Sequence, residues 1–88
     1  MMKVNVENMK GNAGKPVKNQ FIIETNEGIF FQSYRTIIAA KINGRIILDP
    51  QWEYSTTTGK YRNIFLRESK RETEAKIKSG IYTIQNLN

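Results

Sequence analysis

The chain has 88 residues, a formal net charge of +6, and neither cysteine nor histidine; that length accommodates one core and no second one. Without thiols or imidazoles there is no disulfide staple, no cysteine nucleophile, no histidine base and none of the usual zinc ligands. Residues 1–88 therefore read as a single domain, and no cofactor is expected.

The charge is unevenly spread, with +3 over residues 1–20, −1 over 21–58 and +4 over 59–88. Basic ends favour anionic partners, whether nucleic acid, a nucleoprotein or an acidic protein face. A lysine-rich surface that only confers solubility would give the same balance. Met1–Asn5 has no apolar run of signal-peptide length, and nowhere do about 18 apolar residues follow one another. The expectation is a protein that is neither exported nor membrane-spanning and that acts inside a cell.

Val4 and Val6 alternate with Lys3, Asn5 and Glu7, the period of a half-buried strand. The two glycines, proline and lysines of Lys10–Pro16 then predict a flexible basic loop over residues 10–18. Phe21–Thr25 and Ile29–Ser33 are β-branched and aromatic around Asn26-Glu27-Gly28, which predicts a hairpin with Gly28 supplying a positive φ. Thr36–Ile42 and Arg45–Leu48 flank Asn43-Gly44, the strongest short hairpin signal. The alanines Ala39 and Ala40 leave a helix over Ser33–Ala40 open as well.

Asp49-Pro50 ends this run, because proline has no amide to give a ladder. Tyr61, Ile64 and Phe65 then recur at helical spacing with Lys60, Arg62 and Asn63 on the other side, predicting an amphipathic helix of about three turns. Any hydroxyl of Ser55–Thr58 suits its cap. Ser69 and Glu72 form a capping-box pattern opening a second helix to about Lys78, Gly80 suits its end, and Ile81–Ile84 reads as a last strand. Hairpins followed by helices define an α+β fold: a small, mainly antiparallel sheet with two short helices on one face. The core candidates are Phe21, Ile23, Phe31, Ile38, Ile47, Leu48, Trp52, Tyr61, Phe65 and Ile84.

Among the carboxylates no spacing sets two around one bond or metal; Asp49 and Glu53 flank Trp52 and are best explained by a turn and a surface charge. Gly11–Pro16 falls short of a Walker loop by two residues and places Pro16 where a hydroxyl is needed. Gly11–Gly14 matches the four-residue clamp of KH domains, but a strand rather than a helix precedes it. The segment Ser55–Arg62 carries more: hydroxyls including Thr57, beside Lys60 and Arg62 at a helix N-terminus, are the equipment of an oxyanion site. A cap, local backbone bonds and a solvated outer face account for the same residues. On phosphates, Lys60, Arg62, Arg67, Lys70 and Arg71 are the candidate contacts. Tyr34, beside Arg35, and Tyr54 are the candidate stacking platforms, Tyr34 being exposed by strand alternation.

Two phrases, Phe31-Gln32-Ser33-Tyr34-Arg35-Thr36-Ile37-Ile38-Ala39 and Trp52-Glu53-Tyr54-Ser55-Thr56-Thr57-Thr58-Gly59-Lys60-Tyr61-Arg62-Asn63-Ile64-Phe65-Leu66, resemble a pattern in small uncharacterised bacteriophage proteins. In the second, Glu53 stands where that pattern has Asp. The resemblance spans about residues 21–87. It implies a virus-encoded accessory protein of the bacterial cytoplasm and no known enzymatic activity. Joined to the lack of catalytic residues, this leads to the expectation of a non-enzymatic protein that binds a host protein or nucleoprotein through its basic helical half and exposed aromatics and inhibits an antiviral defence such as a CRISPR-type complex. Direct nucleic-acid binding is the alternative expectation. Mimicry of nucleic acid is not expected, since that needs an acidic surface.

Overall fold

A computed structural model describes residues 3–88; Met1 and Met2, counted in the single-domain range, lie outside the described residues. The elements are β1 (Val4–Lys10), β2 (Pro16–Thr25), β3 (Ile29–Ser33), β4 (Thr36–Ile42), β5 (Arg45–Leu48), α1 (Thr56–Leu66), α2 (Lys70–Lys78) and β6 (Thr83–Ile84). They form a six-stranded sheet in the order β1-β2-β3-β4-β5-β6. Neighbours are antiparallel through β5, and β6 returns parallel to β5 after the helices. The fold is α+β.

Local chemistry explains most of the turns. Asn43 and Gly44 both take positive φ, 51° and 75°, the geometry of a type I′ hairpin whose twist matches the flanking strands. At Asn26–Gly28 the Thr25 hydroxyl accepts from the amides of Glu27 and Gly28, closing the turn through a side chain. Gly28 is not at positive φ as expected; its requirement is close approach, because a Cβ there would collide with the Lys41 carbonyl. Tyr34 and Arg35 form a two-residue turn between the paired Ser33 and Thr36, with Tyr34 at φ 57°. The segment Ser33–Ala40 is thus the end of one strand, a turn and another strand, and the helical alternative is not taken. The basic loop is shorter than expected, since β2 begins at Pro16, which pairs with Lys10, a strand-end position that needs no ladder amide.

Both helices end on local signals. Ser55 caps α1 by accepting from the Thr58 amide, and Arg67 closes it in the left-handed conformation. Ser69 and Glu72 complete the predicted capping box of α2. Gly80 follows α2 at φ 82°, as its position suggested.

The two faces of the sheet differ. Ile22, Phe31, Ala39 and Leu48 stand in one register row, and that face packs with Met9, Ile38, Tyr61, Phe65, Leu66 and Tyr82 into the core. The Phe31 and Phe65 rings stack at 5.8 Å between centroids. A bulge in β4 opposite Phe31 and Gln32 inserts Ile38, which is fully buried. Alternation sends Val6, Ile23, Phe30, Ala40 and Ile47, the adjacent row, to the opposite face. Neither helix packs on that side.

This corrects the core candidates. Phe21, Ile23 and Ile47 are half-buried on the face away from the helices, Trp52 is half-buried at the edge of the core, and Ile84 is exposed. In β1 the strand is present, but Val4 and Val6 are 57% and 56% exposed because they belong to the uncovered face.

Truncating Phe31 to Ala removes the central ring and should cost about 3–5 kcal/mol. Gly28→Ala should cost about 1–3 kcal/mol through overpacking against the backbone of Lys41. Urea denaturation midpoints measure both, and a Gly28→Ala midpoint equal to wild type would contradict the close approach.

Candidate functional site

Ser55, Gly59 and Asn63 recur at every fourth position, so α1 presents them along one flank. Together with Thr56, Lys60 and Arg62 they line an open groove of about 680 Å³, closed on the other side by Glu53 and Lys70. The cap holds the near end in place: the Ser55 hydroxyl donates to Thr58 Oγ1 at 3.1 Å while accepting from the Thr58 amide. Thr58 Oγ1 in turn lies 2.9 Å from the buried Ser33 hydroxyl. The hydroxyl chain ties the start of the helix to the end of β3.

Arg62 departs most from expectation. Placed by sequence on the solvated outer face, it is 2% exposed, whereas Ile64, expected inside, is 49% exposed. The buried stripe of α1 runs Thr58, Tyr61, Arg62, Phe65 and Leu66, rotated by part of a turn from the Tyr61-Ile64-Phe65 pattern. The guanidinium lies 4.9 Å from the Trp52 ring centroid, a favourable cation–π placement. Nη1 donates to the Trp52 carbonyl at 2.7 Å and Nη2 to Asn63 Oδ1 at 3.0 Å. Nε is buried and has no partner. Burial lowers the Arg62 pKa, and the fields of Glu53, Glu68 and Glu74 oppose that shift. Arginine nevertheless keeps its charge at neutral pH, and no carboxylate forms an ion pair with it among the described residues.

The remaining sequence candidates divide. Lys60 and Lys70 line the groove with Arg62; Lys70 is held by Glu53 at 2.8 Å, both side chains about half exposed. Thr57 and Tyr54 are exposed on either side of the cap, and Arg71 is exposed in the first turn of α2, yet none of the three lines the groove. Tyr34 is exposed as expected, though by its place in a turn rather than by alternation. With Arg35 it follows Ser33, at the end of the sheet where α1 begins. Arg67 sits at the opposite end of α1, near Lys41. Burial and then the Arg67 charge lower the Lys41 pKa, and the Lys41 ammonium stands 4.4 Å over the Phe65 ring. Sequence reasoning missed Gly59 and Asn63; only helical spacing from Ser55 would have found them.

A second polar cluster joins the helices to the chain's end. Glu68 accepts from Thr73 Oγ1 at 2.6 Å, Lys76 Nζ at 2.6 Å and Tyr82 Oη at 2.7 Å. Burial pushes the Glu68 carboxyl up, but the bonds from Lys76, Thr73 and Tyr82 outweigh it and hold the group below its ordinary value. Burial and then the Glu68 bond raise the Tyr82 hydroxyl. With three bonds accepted and only 3% of its side chain exposed, this carboxylate ties α2 to the segment before β6. Asp49 does similar work elsewhere, accepting from the amides of Gln51 and Leu87 and from Asn88 Nδ2. This is the structural role its place in a turn suggested. Gln20 is fully buried, and neither polar atom of its amide has a partner.

Among the described residues no three carboxylates converge on a metal position, and no helix is long and apolar enough to cross a membrane. Fold and site together define a small two-layer α+β domain with a basic groove at a helix N-terminus and an uncovered sheet face. The chain belongs to the family of unknown function DUF8033, which matches residues 4–81. No curated protein and no solved structure matches it.

The Glu68 cluster sets an acid limit on stability. Because the folded pKa lies below the unfolded value, its contribution is complete above the unfolded value of about 4.3 and disappears as pH falls through the folded one. Glu68→Gln should cost about 1.5–3 kcal/mol at pH 7, the range for a hydrogen bond to a charged group, and should flatten the loss of stability below about pH 4. Thermal midpoints across that range test this; an acid slope unchanged in the variant would refute the assignment.

Proposed function

We propose that this chain is a non-catalytic interaction protein, encoded by a bacteriophage and acting in the host cytoplasm. There it binds a host protein or nucleoprotein and inhibits an antiviral defence such as a CRISPR-type complex. The phage origin rests on the two phrases around Tyr34 and Tyr54; the defence target follows from that class of small phage proteins without catalytic residues and from no motif of this sequence. The binding role rests on one physical feature, the sheet face that no helix covers. Its three central rows hold Val4, Val6, Phe21, Ile23, Phe30, Ile37, Ala40, Ile42 and Ile47 together with the polar Asn8, Thr25 and Gln32, and Arg45 is the single charged residue of these rows. Val4 and Val6 are exposed, most of the others are half-buried and Ala40 is buried among them.

In a chain where a quarter of the residues are charged, an apolar face nearly free of charge stands apart from an ordinary solvated surface, and contiguous apolar patches mark interaction sites. A partner of matching chemistry presents a flat apolar surface with a polar rim. The half-exposed β1 edge needs little reorganisation to meet it.

Direct nucleic-acid binding is the second reading, favoured by the groove cations Lys60 and Lys70 beside the exposed Arg71 and Tyr54. On this reading the phosphates meet the groove rather than the sheet.

The readings separate by mutation. Val6→Glu combined with Ile23→Glu should abolish nuclease-resistant capture of the host partner while leaving the fold cooperative, and Lys60→Glu should leave that capture intact. Equal capture by the sheet-face variant would end the first reading. For the second, oligonucleotide affinity should fall steeply with salt, and Lys60→Ala should reduce the logarithmic salt slope by about 1. A salt-independent affinity, or none at low salt, would end it.

A further inference from the structure

Arg62 poses a chemical problem that its structural contacts only half solve. Packing on Trp52 and bonding to the Trp52 carbonyl explain why a long side chain fills this space. They account for the charge only in part, through the cation–π placement, because burying an ion without a paired counter-ion is costly and an apolar residue of similar volume usually serves stability as well or better. The guanidinium carries five N–H donors; two are bonded to protein, and the buried Nε has no partner.

Arg62 lines the groove, and the groove supplies what the guanidinium lacks. At the N-terminus of α1 the first-turn amides have no intrahelical acceptors, and the helix dipole adds partial positive charge there. The Ser55 hydroxyl takes only the Thr58 amide. Gly59 is the helix position that lies against the buried guanidinium on the groove side: a Cβ here would pack 3.6 Å and 3.7 Å from the two terminal nitrogens of Arg62 and screen them from the groove. Three cations, Lys60, Arg62 and Lys70, face one carboxylate, Glu53, which leaves two positive charges unbalanced. The half-exposed Lys70–Glu53 pair is of a kind worth little in water, so Lys70 is free to exchange its partner for another anion.

We propose that this groove is a site for a phosphate monoester, with Arg62 as its floor, Lys60 and Lys70 as its walls and the α1 amides at its closed end. A monoester carries close to two negative charges at neutral pH, matching the imbalance, whereas an internal phosphodiester carries one. The groove is several times larger than one phosphate, so there is room for the group to which the phosphate is attached. Inorganic phosphate and the terminal phosphate of an oligonucleotide present the same chemistry. The inference does not depend on the sheet-face reading, and it differs from backbone tracking in requiring a terminal phosphate.

Three probes test it on the intact chain by calorimetry and amide chemical shifts: inorganic phosphate, a 5′-phosphorylated dinucleotide, and the same dinucleotide with a 5′-hydroxyl. Expected are saturable binding of the first two, at least tenfold weaker binding of the third, and shifts centred on Thr56, Gly59 and Lys60. Affinity should fall severalfold from pH 7.5 to pH 5, as the monoester gains a proton with a pKa of about 6. Gly59→Ala is the decisive variant, because alanine favours a helix over glycine and the substitution should preserve or raise thermal stability while lowering affinity tenfold or more. Arg62→Met should likewise fold and lose binding. Equal affinity for the phosphorylated and hydroxyl-ended dinucleotides would overturn the proposal and leave backbone tracking standing. A Gly59→Ala variant that binds as wild type would also overturn it.

Discussion

Two contacts seat α1 on β3: the stacked rings of Phe31 and Phe65 and the hydroxyl pair of Ser33 and Thr58. They lie about two turns apart along the helix, so together they fix its rotation as well as its position. With that rotation set, position 62 must face inward and position 64 outward. An arginine is therefore buried and an isoleucine is exposed, against the preference of each residue type. The packing of one aromatic pair and the satisfaction of one buried hydroxyl outweigh that mismatch. The arginine's apolar stem and its Trp52 contact reduce the cost further.

The groove follows from the same docking. Because Arg62 reaches the Trp52 carbonyl, the segment between β5 and α1 is held against the helix, which places Glu53 across from Lys60 and Lys70. Lacking a side chain at the point of closest approach, Gly59 adds no further atoms between the buried guanidinium and the groove. Charge, shape and dipole thus converge at one end of α1, at a site built from that helix, the first residue of α2 and the segment that leads into α1.

The opposite face of the sheet reflects a different constraint. Two short helices can cover one face of six strands but not both, and alternation commits every second residue to the side left bare. That side carries an apolar row across five strands, so the domain has two surfaces of opposite character: a charged groove beside the helices and a nearly uncharged wall behind them. On the proposed reading, the wall would hold a macromolecular partner by area and the groove a small anionic group by charge.

Elements governed by local chemistry were legible in the letters. Asn43-Gly44, the Ser69–Glu72 box, Gly80 and the change of period after Asp49-Pro50 act within a few residues, where φ preference and capping decide the outcome. Together they yield the α+β class, the hairpin order and the helix positions. The turn at Tyr34-Arg35 was hidden because its positive φ falls on tyrosine rather than glycine, held there by strand pairing. Which sheet face is covered, where the bulge inserts Ile38, and which way α1 is rotated belong to the tertiary structure alone. They depend on contacts between residues far apart in sequence, such as Ser33 with Thr58 and Phe31 with Phe65. The cations Lys60 and Lys70 could be named from sequence, but the groove they share with Arg62 exists only once packing has turned the helix.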